Sequence, residues 1–499
     1  MYIELNLTPE EAAHKIANLK RDERVVRKSV DARKRGNIRV LLQIAKGESI
    51  DMEGGFEPRD VNNSESVVVV GAGPAGLFAA LGLIEKGFRP VIFERGKSVS
   101  DRKRDVASAN RGQGIDPESN YAFGEGGAGT FSDGKLYTRS KKRGDNNRIL
   151  KILHQYGAQE EILYEAHPHI GSDILPRVIE NIRSAIIECG GEVHFSSKVT
   201  ALIIEDNKVK GVEVDGSKRV ECGAVILATG HSARDVYGFL HSGGVRLEAK
   251  NFAVGVRVEH RQELIDRIQY KDERGEYLPA AAYSLVAQVG GRGVYSFCMC
   301  PGGVIVPAST QNGEGVVNGM SNSQRNGVYA NSGIVTEVRV EDIEDYTKHF
   351  GVLGGLEFQR QLETMACMQG GGSAGVAPAQ RLADFVAGRS SRNLPETTYN
   401  PGIAPSDLHY WMPRFVGDAL RGGFKAFDKK MKGFLTNDAV VIGVESRTSS
   451  PVRIPRDRET LQHVEVEGLY PAGEGAGYAG GILSSAVDGI RCAYKIAQR

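Results

Sequence analysis

Apolar residues in this chain are spaced in three ways, and each spacing predicts a different kind of element. Uninterrupted apolar runs within 67–70, 91–93, 224–230 and 438–444 predict strands buried on both faces. Alternation at 2–7, 198–204 and 209–214 predicts half-buried strands, the last two paired as a hairpin. Ile174, Val178, Ile182, Ala185 and Ile186 recur at helical spacing, so 171–190 reads as an amphipathic helix. Further helices are expected after Thr8-Pro9, from Pro74 to near Gly87, near 355–368, and at the C-terminal end, where Ala486, Ile490 and Ala493 share one stripe. Strands are expected also at 25–30, 38–44, 193–195, 252–258 and 303–307. Taken in order, these elements make a small α+β module at 1–60, a discontinuous α/β unit at 61–244 and 431–499, and an inserted mixed α+β unit at 245–430.

The stretch 66–95 organises the α/β unit. Its first strand runs directly into Gly71-Ala72-Gly73-Pro74-Ala75-Gly76, then a helix, then a second strand ending in Glu94 and Arg95. Gly71 permits a tight turn, Gly73 lets backbone approach a pyrophosphate, and Gly76 lets the helix lie close on the strand. The helix start at Pro74 and Ala75 offers N–H groups and a positive dipole end to phosphates. Glu94 falls 94 − 76 = 18 residues after the last glycine, where a carboxylate accepts hydrogen bonds from ribose hydroxyls. In this context the motif specifies an ADP-containing dinucleotide, FAD or NAD.

Three other segments carry the same chemistry. Phe123–Lys135 is too rich in glycine for a core strand and reads as an ordered loop against a flat or anionic ligand, with Gly126, Gly127, Gly129 and Thr130 as contacts. Ala228-Thr229-Gly230 ends a buried strand in small residues that can pass close to a dinucleotide. Gly473-Glu474, followed by Gly480-Gly481-Ile482 and a helix, is a second strand–glycine loop–helix unit. It offers Glu474 to ribityl hydroxyls and the N–H groups of Gly481 and Ile482 to a flavin carbonyl.

Composition narrows the partners. The chain has 499 residues with 40% hydrophobic and 25% charged residues and a net charge of +1, which gives no global reason for a polyanion partner. Locally, 20–39 holds nine Lys/Arg against three Asp/Glu. This is read as a solvated face, with an anionic partner such as RNA as the alternative; a second basic cluster lies at 139–143. No apolar run approaches the roughly 18–20 residues of a membrane span, and the N-terminus lacks the basic and apolar regions of a secretory signal. Six sparse cysteines are expected to be reduced thiols in a cytoplasmic protein. Cys298 and Cys300 share one face if their segment is a strand, but no nearby Cys/His pair completes a metal site. No Lys, Arg or His lies within five residues to stabilise a thiolate, so the pair is expected to be structural or to line a pocket without cycling.

Together, the first glycine motif, the Ala-Thr-Gly strand and the C-terminal Gly-Glu loop resemble the glutathione-reductase-like FAD-binding fold, in the branch with a single dinucleotide domain. His169-Ile-Gly-Ser-Asp173, with the segments 124–136, 253–260, 295–303 and 445–453, looks like the bacterial family of uncharacterised FAD-dependent dehydrogenases. The resemblance covers nearly the whole chain. It implies a Rossmann-like FAD-binding domain with an inserted substrate or cap domain, FAD as cofactor, and redox chemistry. By it, Gly71, Gly73, Gly76 and Glu94 would hold the AMP half and pyrophosphate, Val199 would meet adenine through its backbone, and Glu474, Gly481 and Ile482 would meet the flavin end.

The function expected is that of an FAD-dependent oxidoreductase acting on a small molecule between the FAD domain and 245–430. A flavoprotein that modifies RNA and a non-redox dinucleotide-binding protein are the alternatives. Arg447 is the candidate partner for a substrate anion or flavin charge, because arginine is a fixed, always charged donor fork; its competing role is a surface ion pair with Glu445. Lys135 is the second candidate catalytic side chain. No second strand-borne GxGxxG is visible, so NAD(P)H, if it is the electron donor, has no recognisable dinucleotide site of its own.

Overall fold

The computed structural model describes residues 2–34, 36–47, 54–137, 144–372 and 375–499. Ser66–Val70 is the middle strand of a five-stranded parallel sheet ordered Leu469–Pro471, Val225–Leu227, Ser66–Val70, Arg89–Phe93, Glu192–His194. Its valines alternate between two cores. Val67 and Val69 face one that also holds Leu77, Leu81, Ile182 and Ile490, while Val68 and Val70 face another with Val212, Val236 and Leu240. A strand sandwiched in this way needs apolar residues at every position, which is why its sequence does not alternate.

On the first face the helix Pro74–Glu85 packs against the C-terminal helix Ile482–Ile496. The two backbones come close because glycines sit at the crossing: a Cβ at Gly489 would lie 2.0 Å from the Ala75 carbonyl oxygen. The predicted amphipathic helix spans Leu175–Glu188, begins over Pro176, and adds Val178, Ile182 and Ile186 to the same core. The opposite face carries the three-stranded antiparallel sheet Val199–Glu205, Lys208–Val214, Lys218–Glu221 and the helix Arg234–Ser242.

The second unit is built on a seven-stranded sheet ordered Val286–Val289, Arg292–Cys300, Tyr329–Val338, Phe252–Arg261, Val440–Glu445, Ala377–Arg381, Ile403–Pro405. It is antiparallel except at its last pair. Helix Arg414–Lys430 packs on it through Phe424 and Phe427, against Phe434 and Val441. Here the structure corrects an expectation. The run 438–444 does not rejoin the parallel sheet at 431; Val440–Glu445 pairs with Phe252–Arg261 and Ala377–Arg381, and the chain crosses back only after Glu445. A fully buried apolar run reads the same between parallel and antiparallel neighbours.

The N-terminal module is a three-stranded antiparallel sheet, Tyr2–Leu7, Arg39–Lys46, Glu23–Asp31, with helix Pro9–Ala17. Thr8 and Glu11 cap that helix reciprocally, at 3.2 and 2.8 Å. Several of its basic side chains are engaged internally: Lys15 and Lys46 with Glu23, Arg33 with Asp31, and Lys28 with Glu165 of the next unit. The basic cluster 139–143 lies outside the described residues. Among the described residues no helix is long and apolar enough to cross a membrane.

Val99–Asn110 is among the helices absent from the sequence-based expectation. It is mostly polar, with Val99, Val106 and Ala109 buried; Ser98 caps it through Asp101, and its Arg102 is fully buried. Arg102 donates to the carbonyls of Asn120, Tyr121 and Glu125 and so braces the glycine loop from behind; burial pulls its guanidinium down to about 10.

Candidate active site

The helices Pro74–Glu85 and Ile482–Ile496 start at Gly73 and Gly481, and neither start has a side-chain cap. Both open on one cavity, whose walls include Gly71, Gly73, Pro74, Ala75, Gly127, Gly129, Val199, Ala228, Thr229, Gly230, Gly473, Gly480 and Ile482. Uncapped N–H groups and two positive dipole ends therefore converge where little but backbone lines the wall. At Gly230, Gly480 and Gly481 an added Cβ would meet nothing within 4 Å, so the cavity comes right up to the main chain. This surface fits the pyrophosphate and the flavin carbonyl of FAD.

The remaining glycines of the first motif hold the turn itself. Gly71 has φ +100°, and its Cβ would lie 2.6 Å from the Ala228 carbonyl oxygen; a Cβ at Gly76 would lie 1.9 Å from that of Gly71. Gly76→Ala is therefore expected to lower the melting temperature and empty the site together, since backbone must move. Gly480→Ala is expected to leave the melting temperature unchanged and to weaken FAD binding alone. Thermal melts of apoprotein beside FAD titrations separate the two outcomes.

Glu94 lines the cavity but is only 4% exposed. Its carboxylate accepts three backbone N–H bonds: Ala72 at 2.8 Å, and Gly96 and Gly124 at 2.9 Å each. It thus fastens the glycine turn to the 123–135 loop as well as facing the place of a ribose. Arg95 also lines the cavity, with its guanidinium bonded to Glu118 and Asp235. Gly76, Gly126 and Thr130 do not line it. Gly126 donates to the Ala72 carbonyl, and Thr130 closes the loop through the Glu125 carbonyl, so both support the wall from outside.

At the other end, Glu474 takes the Gly481 N–H, so of the two donors expected for a flavin carbonyl Ile482 is left. Its second oxygen lies 3.0 Å from His231 Nδ1, and His231 Nε2–H donates to the Arg447 carbonyl at 2.9 Å. Burial alone would raise the Glu474 carboxyl; His231 and the Gly481 N–H outweigh it and hold the group below the ordinary carboxylate value.

Arg447 lines the cavity, yet its guanidinium is committed elsewhere. It bonds Glu363 through Nε and NH2 (3.1 and 2.9 Å), Glu314 at 2.7 Å and Thr310 at 2.8 Å. Arg234, from the first unit, bonds the same two carboxylates at 2.8 and 3.0 Å. Neither expected role fits this geometry. Arg447 is a member of a buried two-arginine, two-glutamate cluster that joins the units, and Glu445 pairs instead with the fully buried Arg257.

Lys135 and the cysteines meet at the junction of the two units. Lys135 Nζ lies 3.7 Å from Cys300 Sγ and 3.4 Å from Asp133, whose carboxylate is gripped by Arg325 at 3.1 and 2.6 Å. Burial pulls the Lys135 ammonium down, but Cys300 and Asp133 raise it further, leaving it above its ordinary value. Cys298 is exposed within the cavity, and its enclosed surroundings push its thiol up to about 11. Among the residues the sequence did not single out, His231, Asp133, Lys198 and Asn318 line the cavity. His231 directly follows Ala228-Thr229-Gly230, and that adjacency is the signal that could have pointed to it.

Comparison with known proteins gives two domain matches. Residues 251–448 match the family model described as FAD-dependent protein, C-terminal domain-like, and residues 65–239 match that of pyridine nucleotide-disulphide oxidoreductase. An uncharacterized protein of Clostridium beijerinckii is 43% identical over 500 residues, which cover 95% of this chain and 92% of the relative. Among solved structures, CtdE in complex with FAD has a TM-score of 0.35 at 11% identity, covering 87% of this chain and 84% of that one. A geranylgeranyl bacteriochlorophyll reductase-like protein of Thermoplasma acidophilum has a TM-score of 0.36 at 14% identity, covering 87% and 79%. Likenesses this distant bear on neither substrate nor reaction. With the glycine-walled cavity, the two domain matches and a full-length bacterial relative in hand, the chain belongs to the family of FAD-dependent proteins that carry this C-terminal domain, and its cofactor is FAD.

Proposed function

We propose that the protein is a dehydrogenase or reductase that moves two electrons between its FAD and a small molecule seated against the second unit. The observation that carries this reading is the contrast between the two ends of one cavity. The end of the first unit is largely glycine backbone and helix N-termini, with Glu94 and Glu474 beside them, suited to holding a cofactor. The far end brings Lys135, Cys298, Asn318 and Phe297 to the same space, side chains that hold charge, protons and an apolar surface. FAD, when bound, supplies the redox chemistry; the protein supplies orientation and electrostatics. Gly73 and Ala75 would hold the pyrophosphate, Glu94 the ribose, the Val199 backbone the adenine, and Glu474 with Ile482 the ribityl and flavin end. Lys135, charged at neutral pH, would hold a substrate oxygen or give a proton at Nζ.

The electron donor or acceptor is a diffusing molecule in this reading, with NADH and NADPH the first to test. Nucleic acid is not part of it, given the net charge of +1. A cytoplasmic location is part of it, supported by six unpaired cysteines. Anaerobic addition of NADH, NADPH or dithionite should bleach the visible flavin bands, and air should restore them. A flavin that resists every reductant would favour a purely structural cofactor and overturn the proposal.

A further inference from the structure

Cys298 and Cys300 were expected not to cycle because no cation is near them in sequence; the fold supplies one from another segment. Lys135 reaches Cys300 Sγ at 3.7 Å on the loop that Asp133 and Arg325 clamp in place. Both thiols line the cofactor cavity, Cys298 exposed and Cys300 behind it. The strand that carries them is bent at this point. Arg292–Cys300 pairs regularly with Tyr329–Val338 as far as Phe297 and Gly333, and the next partner of Asn331 is Cys300, so one extra residue is accommodated.

Cys298 takes up that residue in a left-handed conformation, φ +43°, which a side chain rarely adopts without support. Arg257 NH1 donates to its carbonyl at 3.3 Å, and Cys300 Sγ–H donates to the same oxygen at 3.3 Å. Arg257 is itself fixed by Glu445, Asn331 and Asn318. The bend matters for sulfur chemistry. In a straight strand, residues two apart have Cα atoms about 6.7 Å apart, at the outer limit of what a disulfide spans. At this bulge the Cys300 side chain is turned back onto residue 298, with its Sγ 3.3 Å from the Cys298 carbonyl oxygen.

We propose that Cys298 and Cys300 form a dithiol–disulfide couple that exchanges electrons with the FAD bound in the same cavity, with Cys300, beside the Lys135 ammonium, as the nucleophilic sulfur. Closing the couple forms one S–S bond, breaks two S–H bonds, and releases two electrons and two protons; opening it reverses each. The electrons pass to or from the two-electron couple of FAD, so the proposal rests on the oxidoreductase reading above. Cys298 remains the thiol that a substrate or partner thiol reaches first, being the exposed member.

The test is an anaerobic dithionite titration of the oxidised holoprotein, read from the flavin bands. The wild-type protein is expected to consume about four electrons per FAD, two for the flavin and two for the disulfide. Cys298→Ser is expected to consume about two with its flavin spectrum retained. A wild-type value of two, with full bleaching, overturns the dithiol couple and leaves the flavin reading intact; no bleaching at all overturns the flavin reading instead. A value of four in both proteins also overturns the proposal, because the extra electrons then lie elsewhere. Independently of FAD, oxidised apoprotein quenched in acid should yield a peptide containing 298–300 that is two hydrogens lighter than its reduced form; finding both sulfurs free overturns the couple.

Discussion

Glu94→Ala is expected to unfold the cofactor site as well as to empty it. One carboxylate there receives the N–H groups of Ala72, Gly96 and Gly124, in a place that is 4% exposed. Alanine leaves three donors without an acceptor. At about 1–3 kcal/mol for each buried unsatisfied group, the loss is roughly 3 kcal/mol or more, a large share of an ordinary domain's stability. FAD affinity should fall at least ten- to a hundredfold, because the turn that presents the helix N-terminus is no longer fixed. From sequence alone, the expected role of this acid is ribose contact, and the variant should weaken FAD retention more than it affects folding; the structure gives it a second role. A melting temperature and FAD dissociation constant both unchanged from wild type would contradict this account of the site.

The other large effect belongs to the cluster between the units. Glu363 is fully buried and shared by Arg447 and Arg234, so Glu363→Ala leaves two guanidinium groups against one carboxylate, that of Glu314. Breaking a buried ion cluster from one side costs about 3–5 kcal/mol. Burial alone would raise the Glu363 carboxyl, but the two arginines and the Ser446 hydroxyl hold it well below its ordinary 4.5. A carboxyl depressed in the folded state contributes stability that is fully present above pH 4.5 and is lost as the pH falls through its folded value. Urea unfolding from pH 6 downward should therefore show a steep acid loss in wild type and a shallower one in Glu363→Gln. Arg447→Met should likewise lower the melting temperature rather than act first on substrate affinity. A variant with normal stability and a raised KM would return Arg447 to the substrate role expected from sequence.

What the sequence could convey follows from how local each signal is. The glycine turn, its flanking strands and the helix Leu175–Glu188 rest on neighbours within a few residues, and their patterns survive in the fold. The contacts that decide chemistry at the far end do not. Lys135 and Cys300 are 165 positions apart, Arg447 and Glu363 are 84 apart, and His231 and Glu474 are 243 apart. Arg447 is therefore legible as a charge beside a Ser-Ser-Pro turn and illegible as a charge already neutralised. The same holds for Gly126 and Thr130: the sequence marks a glycine-rich loop, but contacts such as that of the Gly126 N–H with the Ala72 carbonyl decide which of its residues face the cavity. The strand Val440–Glu445 shows a different limit: burial on both faces erases the periodicity that would have told one sheet from the other.

Acid precipitation of the purified protein tests the central claim most directly. No His or Cys is placed by either glycine motif for a covalent link, and the two helix starts on the cavity have no side-chain cap, so non-covalent binding is expected. The supernatant should be yellow and contain close to one FAD per chain, and the stripped protein should take up FAD again on refolding. A colourless protein that binds no FAD on reconstitution, or a flavin that stays with the precipitate, would contradict the account.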